Sequence, residues 1–372
     1  MPNKYDGNDD TEERGKDALN LINRLILEDY RKQRDDFIKL GDTVHSMLDE
    51  LCNEAGIKPL GIEHRVKKEK SLAGKLERSG GWYSALEDLT DILGARIICF
   101  FSDDIDTIGK LVEERFSIDW ENSSDKRALI KADSFGYLSL HYICSLPQGA
   151  GYPDSICGKR FEIQIRTVLQ HAWAAIEHDL GYKSEFGVPR SVIREFSRIA
   201  GLLEIADDEF MRTRDHMRAY TENIRQKIIE NKADEVHIDS ISINEYVKRN
   251  TKMQAFLGEI SRIACAEISE IDAESYIVQL KFLGKETLGD VQKMMDENRQ
   301  LALALAEKSL SNAELDILSS TVGLRFLCRA ELLAKNASLE KITDFLKLSL
   351  GTEEKASRQA KHLLRTYEKI SH

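Results

Sequence analysis

A chain of 372 residues with 42% apolar content has length for two or three domains, and a formal charge of −11 argues against coating nucleic acid through bulk charge, leaving only a local basic patch for that role. No apolar run approaches the ~18–20 residues of a membrane span, and the N-terminal MPNKYDGNDDTEERGKD is polar and acidic, unlike a secretory signal, so no membrane partner is expected. The six cysteines, Cys52, Cys99, Cys144, Cys157, Cys265 and Cys328, form no CxxC pair and read as buried reduced thiols of a cytoplasmic protein.

Residues 1 to 12 read as disordered. From about Glu13 to Ala55, apolar residues such as Ile22, Ile26, Tyr30, Phe37, Val44, Leu48 and Leu51 recur at helical intervals, predicting a helix or a helical pair. LGARIICFF (93–101) reads as a buried strand, and the segment after it as a helix with Ser102 as N-cap. A charged loop, ENSSDKRALIKADS, leads to a second strand, GYLSLHYICSL, and a glycine-rich turn leads to a third. That third strand, RFEIQIR, places Phe161, Ile163 and Ile165 on one face and Arg160, Glu162, Gln164 and Arg166 on the other. Strands interleaved with helices indicate a mixed α/β sheet. The helix VLQHAWAAIEHDLGYK, carrying His171 and His178, is expected to pack its AWAAI face on that sheet. From Pro189 to about Asn231 a long amphipathic helix is predicted, and NKADEVHIDS marks a domain boundary. Residues 240 to 370 give shorter helices broken at GKETLG, KSLSNAE, KNASLE and LGTEE.

Three charged elements point to chemistry. RVKKEKSLAGKLER concentrates Arg65, Lys67, Lys68, Lys70, Lys75 and Arg78 in fourteen residues, a basic helix face or a turn that binds phosphates. In DLTDILGAR, Asp88 and Asp91 precede a glycine and Arg96 at the mouth of a buried strand. Either acid serves as a turn cap, or Asp91 serves as a Mg²⁺ carboxylate. Glu162, Gln164 and Arg166 lie on a strand covered by a helix, and such a polar face most economically lines a cleft in which Glu162 and Asp91 share a metal. Tyr137 and His141 share a strand face, and Tyr137 after a glycine can stack on a nucleobase.

In this order the elements closely resemble the synthetase domain of the RelA/SpoT alarmone family over residues 60 to about 185. RVKKEKSLAGK is similar to the family's Arg-x-Lys…Ser…Lys segment, DILGAR to its Asp-x-x-Gly-x-Arg, GYLSLH to its Gly-Tyr-x-Ser-x-His, and EIQIRT to its most distinctive run. The resemblance implies an α/β fold, a nucleotidyltransferase-like mixed sheet flanked by helices, and the helical pattern after Lys183 predicts an all-helical C-terminal domain behind it. It implies a pyrophosphokinase that moves the β,γ-diphosphate of ATP to the 3′-hydroxyl of GDP or GTP. Position by position, Asp91 and Glu162 would be the catalytic and Mg²⁺ carboxylates. Arg65 and Arg96 would hold the adenine of ATP, and Lys67 and Lys75 its phosphates. Tyr137, His141, Gln164 and Arg166 would face the acceptor.

The chain departs from the family where a lysine and an asparagine often precede the Gly-Tyr pair: Asp133, Ser134 and Phe135 stand there, with Lys126, Arg127 and Lys131 further back. That leaves the acceptor open, and the wording resembles small synthetases and their toxin-like relatives, which makes the 3′-end of tRNA the alternative partner. About 60 residues precede the synthetase segment, too few for the family's hydrolase domain, so synthesis without hydrolysis is expected. The expected division is a helical segment at 1–60, the synthetase domain with its trailing helix at 61–236, and a helical accessory domain at 237–372 that regulates, binds a regulator or mediates homo-oligomerisation.

Overall fold

The computed structural model describes residues 9–125, 139–149, 151–181, 189–311 and 315–371, with side chains from Leu19 onward. The chain divides into two compact units, residues 1–214 and 215–372.

The first unit opens with one unbroken helix, α1 (Asp9–Glu54), which starts inside the stretch expected to be disordered. Its apolar positions fall at intervals of three and four, so Ile26, Tyr30, Phe37, Leu40, Val44, Leu48 and Leu51 form one buried stripe. There follow β1 (Gly61–Val66), α2 (Glu69–Ser79), β2 (Leu93–Cys99), α3 (Ser102–Arg115), the short β3 (Ser117–Ile118) and β4 (Ser124–Asp125), β5 (Leu140–Ser145), β6 (Phe161–Thr167) and α4 (Val168–Gly181). The sheet order is β1-β2-β6-β5-β3, with β4 also on β5. In this sheet β2 and β6 pair in parallel, whereas β1–β2 and β5–β6 are antiparallel. One sheet face, with Ala95, Ile97, Leu140, Tyr142, Phe161, Ile163 and Ile165, joins the stripe of α1 and the Ile105, Ile108 and Val112 side of α3 in a single core. The period-two alternation of β2 and β6 therefore turns every second residue away from that core.

Two local expectations are corrected. Phe101, not Ser102, occupies the N-cap of α3, without a side-chain cap bond; the Ser102 hydroxyl instead meets Met211 Sδ at 2.9 Å. Of the AWAAI face only Trp173 is buried, and its neighbours are Leu169, Ala174 and, from α5 (Arg190–Ile229), Ala200 and Leu203, apart from the sheet core. Ile176 and Leu180 are exposed. What starts α4 directly after β6 is a reciprocal cap: Gln170 N–H donates to Thr167 Oγ1 at 3.1 Å, and Thr167 N–H donates to Gln170 Oε1 at 3.0 Å. The Thr167 hydroxyl then donates to the buried Asp207 of α5 at 2.7 Å, and Arg214 of α5 grips Asp103 with two bonds of 2.8 and 2.7 Å.

The second unit contains the end of α5 and α6 (Ser240–Arg249), α7 (Thr251–Ala264), β7 (Glu267–Ser269), α8 (Ser275–Phe282), α9 (Leu288–Leu310), β8 (Ile317–Ser319), α10 (Val322–Ala334), α11 (Leu339–Leu350) and α12 (Glu353–Ser371). Its helix starts are capped at Thr287 and Ser338, within the predicted breaks. The parallel pair β7–β8 is an addition that no alternation of residues announces. Four cysteines are buried as expected, but Cys157 is half-buried and Cys265 is exposed at the left-handed cap of α7. Among the described residues no helix is long and apolar enough to cross a membrane.

Candidate active site

Residues directly opposite one another in neighbouring strands share a face. One row on the face turned from the core runs Glu63, Arg96, Gln164, His141 across β1, β2, β6 and β5, and the adjacent row runs Arg65, Gly94, Glu162, Ile143. Gly94 leaves the second row open, since a Cβ built there meets nothing within 4 Å.

Asp91 stands two residues before β2. The β1–β2 ladder continues one step past the strands, with Lys67 N–H donating to Ile92 O at 2.8 Å, and this sets the Lys67 side chain beside Asp91. Lys67 Nζ reaches Asp91 Oδ2 at 2.6 Å, and Lys75 Nζ, from α2, reaches Oδ1 at 2.9 Å. Tyr30 of α1 donates its hydroxyl to the Lys67 carbonyl and anchors this corner. Burial pushes the Asp91 carboxyl up, but the two ammonium groups outweigh burial and hold it below its ordinary value.

Glu162 is gripped at both oxygens. His141 Nδ1 lies 2.7 Å from Oε1, and Gln164 Nε2 donates to Oε2 at 2.9 Å. His141 Nε2 lies 2.7 Å from Ser139 Oγ, and Arg166 donates to the Gln164 amide oxygen. Burial raises the Glu162 carboxyl, His141 and Gln164 more than offset that, and the nearby negative charge of Asp91 opposes them.

A cationic end completes the face. Arg166 is 7% exposed, and burial, then the charge of Arg96, bring its guanidinium down to about 10. His171, at the start of α4, is likewise lowered by burial and then by Arg96 and Arg166. Among the described residues Arg96 Nε, Arg166 Nε and His171 Nδ1 are buried without a hydrogen-bond partner. Arg96 has Glu63 Oε2 at 3.6 Å, and Arg65 is exposed. Arg65, Lys67, Lys75, Arg96 and Arg166 against Glu63, Asp91 and Glu162 leave a local excess of two positive charges (five minus three) in a chain of net −11. Such a surface suits a polyanion.

The donor chemistry also fits a hard divalent cation. Mg²⁺ in nucleotide enzymes takes one or two carboxylates and fills its remaining positions with phosphate oxygens and water. Asp91 and Glu162 supply two carboxylates, and no group of three or more His, Cys, Asp or Glu able to hold an ion alone occurs among the described residues. Any ion here would depend on the substrate's phosphates.

A family model described as "Region found in RelA / SpoT proteins" matches residues 64–186, the span that holds this face. GTP pyrophosphokinase YwaC of Bacillus subtilis (strain 168) is 31% identical over 156 residues, covering 40% of this chain and 72% of that protein. The chain belongs to the RelA/SpoT family. A second RelA/SpoT relative, GTP pyrophosphokinase YjbM of the same organism, is 30% identical over 156 residues, 41% of this chain and 71% of that protein. The crystal structure of small alarmone synthetase 2 from Bacillus subtilis superposes with a TM-score of 0.44 at 26% identity, covering 50% of this chain and 99% of that one. The RelA/SpoT chain described here is an enzyme of a pyrophosphokinase family.

Arg65, Arg96, His141, Glu162, Gln164 and Arg166 of this family member share one sheet face, Asp91 pairs with Lys67 and Lys75 just before β2, and Tyr137 lies outside the described residues, as do Lys126, Arg127, Lys131, Asp133, Ser134 and Phe135. Asp88 is the turn cap instead, its Oδ2 accepting from Ser84 N–H at 2.8 Å and Ala85 N–H at 3.0 Å. Lys68, Lys70 and Arg78 are exposed. Ser139 and His171 were missed as members of the face. The two-residue step between Ser139 and His141 was the available signal for the first, and nothing in the sequence brings His171 to Arg96.

Proposed function

We propose that this chain transfers the β,γ-diphosphate of ATP to the 3′-hydroxyl of GDP or GTP, forming guanosine tetra- or pentaphosphate. The observation that supports the reading is the two carboxylates, Asp91 just before β2 and Glu162 on β6, each held by polar partners. The names of the relatives, both GTP pyrophosphokinases, support the same acceptor class. In the transfer the acceptor's 3′-oxygen bonds to the β-phosphorus of ATP, the bond from that phosphorus to the α,β-bridging oxygen breaks, and AMP leaves with the electron pair. The hydroxyl proton passes to Glu162. Phosphoryl transfer asks a protein mainly to position groups and neutralise charge. Lys67 and Lys75 bring the charge for the phosphates of ATP, Arg65 and Arg96 hold its base, and His141, Gln164 and Arg166 face the acceptor, whose base stacks on Tyr137. Mg²⁺ at Asp91 and Glu162 would supply charge neutralisation on the phosphates.

The test is incubation with γ-labelled ATP while GDP, GTP and tRNA compete as acceptors. Label on a guanosine nucleotide is the expected result. Label on the 3′-end of tRNA alone would overturn the acceptor, and no transferred label at all would overturn the reaction. We assign residues 237–372 an accessory role, in regulation or self-association. Truncation after Ala233 that left both activity and oligomeric state unchanged would contradict that role.

A further inference from the structure

Three side chains of the polar face form a chain of hydrogen bonds. Ser139 Oγ lies 2.7 Å from His141 Nε2, and His141 Nδ1 lies 2.7 Å from Glu162 Oε1. Ser139 is 7% exposed, and the side chains of His141 and Glu162 are 11% and 20% exposed, so water offers these atoms little alternative partnership. The strand geometry makes the chain: Ser139 and His141 are two residues apart approaching and entering β5, and His141 pairs with Gln164, two residues from Glu162 on β6. The imidazole therefore reaches diagonally to Glu162 while Gln164 takes the other carboxylate oxygen at 2.9 Å.

For a neutral imidazole, donor and acceptor capacities set one direction. An ionised carboxylate can only accept, so His141 Nδ1 carries the proton that faces Glu162. The neutral ring then presents Nε2 as a bare acceptor, and the Ser139 hydroxyl has the one O–H that satisfies it. A nucleophilic role for the serine would need its oxygen open to an electrophile, and Ser139 is buried.

We infer that Ser139 is a positioning residue for the transfer reaction: by donating to His141 Nε2 it locks the imidazole in the Nδ1–H tautomer, and through that ring it orients the Glu162 carboxylate that takes the acceptor's proton. The inference rests on the reading of Glu162 given above. Partners one bond removed from a reacting group act by fixing tautomer and orientation, and their loss usually costs about 10- to 100-fold in activity.

The experiment combines spectroscopy and kinetics on the full chain. In ¹⁵N NMR at neutral pH, with His141 assigned by its absence in His141→Gln, the wild type should show Nδ1 protonated and Nε2 bare. Ser139→Ala should lose that single tautomer and lower kcat about 10- to 100-fold with KM for ATP unchanged, while Ser139→Thr, which keeps the hydroxyl, should recover kcat. An Nε2–H or doubly protonated ring in the wild type would overturn the inference whatever the kinetics. So would Ser139→Ala turning over like wild type while Glu162→Gln is inactive, an outcome that leaves the role of Glu162 standing. Full activity in Glu162→Gln would instead overturn the role of Glu162, and the positioning role with it.

Discussion

Asp91 is held by two ammonium groups that come from different elements, Lys67 after β1 and Lys75 on α2, so its charge fastens the corner where both meet β2. Its folded-state pKa is depressed. As pH falls, the unfolded chain therefore takes up this proton first, and the stabilisation is fully present above the ordinary carboxyl value of about 3.9 and is lost as pH falls through the lower folded-state value. Asp91→Asn should melt at a lower temperature than wild type at neutral pH, and the gap should shrink in acid. A constant gap from neutral to acid would show that the carboxylate is not depressed by its lysines. At this scale the sequence was most readable on β6, where period two alone separates Glu162, Gln164 and Arg166 from the apolar side. It was least readable where one hydrogen bond decides a role. Nothing in the sequence announces that Lys67 and Lys75 also pair with Asp91, 24 and 16 residues away in the chain, and His171 feels the charge of Arg96 because α4 lies against β2 and β6.

The junction of β6 and α4 is the element on which the orientation of the polar face depends. Thr167 ends the strand, caps the helix through two bonds with Gln170, and through a third, to buried Asp207, ties α5 to the sheet. Thr167→Val keeps the shape and removes the hydroxyl, and with it one bond to Asp207 and one to the Gln170 N–H. It should cost about 1–3 kcal/mol in urea denaturation, and a loss within experimental error would mean that solvent replaces those bonds. A Thr-x-x-Gln run after an alternating strand is legible as such a cap. Helix periodicity likewise predicted α1 and α5, and Ser, Thr and Gly marked the starts and stops after residue 240. The three-residue strands β7 and β8 escaped because so short a run shows no alternation, and the AWAAI prediction failed because small residues fit a neighbouring helix as well as a sheet.

Over the whole molecule two cores are built on different logic. The first places a mixed sheet under a polar face. The second is helical and buries a carboxylate: Glu331, with a side chain 2% exposed, has Lys285 Nζ at 2.7 Å and the exposed Lys335 Nζ at 2.8 Å on Oε1, and Asn298 Nδ2 donates to Oε2 at 2.7 Å. Burial raises that carboxyl and the lysines lower it further than burial raises it. Glu331→Ala strands Lys285, whose side chain is 12% exposed, and should destabilise the second unit by about 3–5 kcal/mol, read as a shift of its denaturation transition; an unshifted transition would mean that Lys285 finds water. No such cluster is visible in the sequence, since its members are spread from residue 285 to 335.

The central claim is that Asp91 and Glu162 act together on one transferred diphosphate, and single-turnover transfer from γ-labelled ATP to GDP by wild type, Asp91→Asn and Glu162→Gln tests it most directly. The account predicts a loss in rate of about 10²–10⁴-fold in each variant, with ATP still bound. Wild-type transfer by either variant would contradict it.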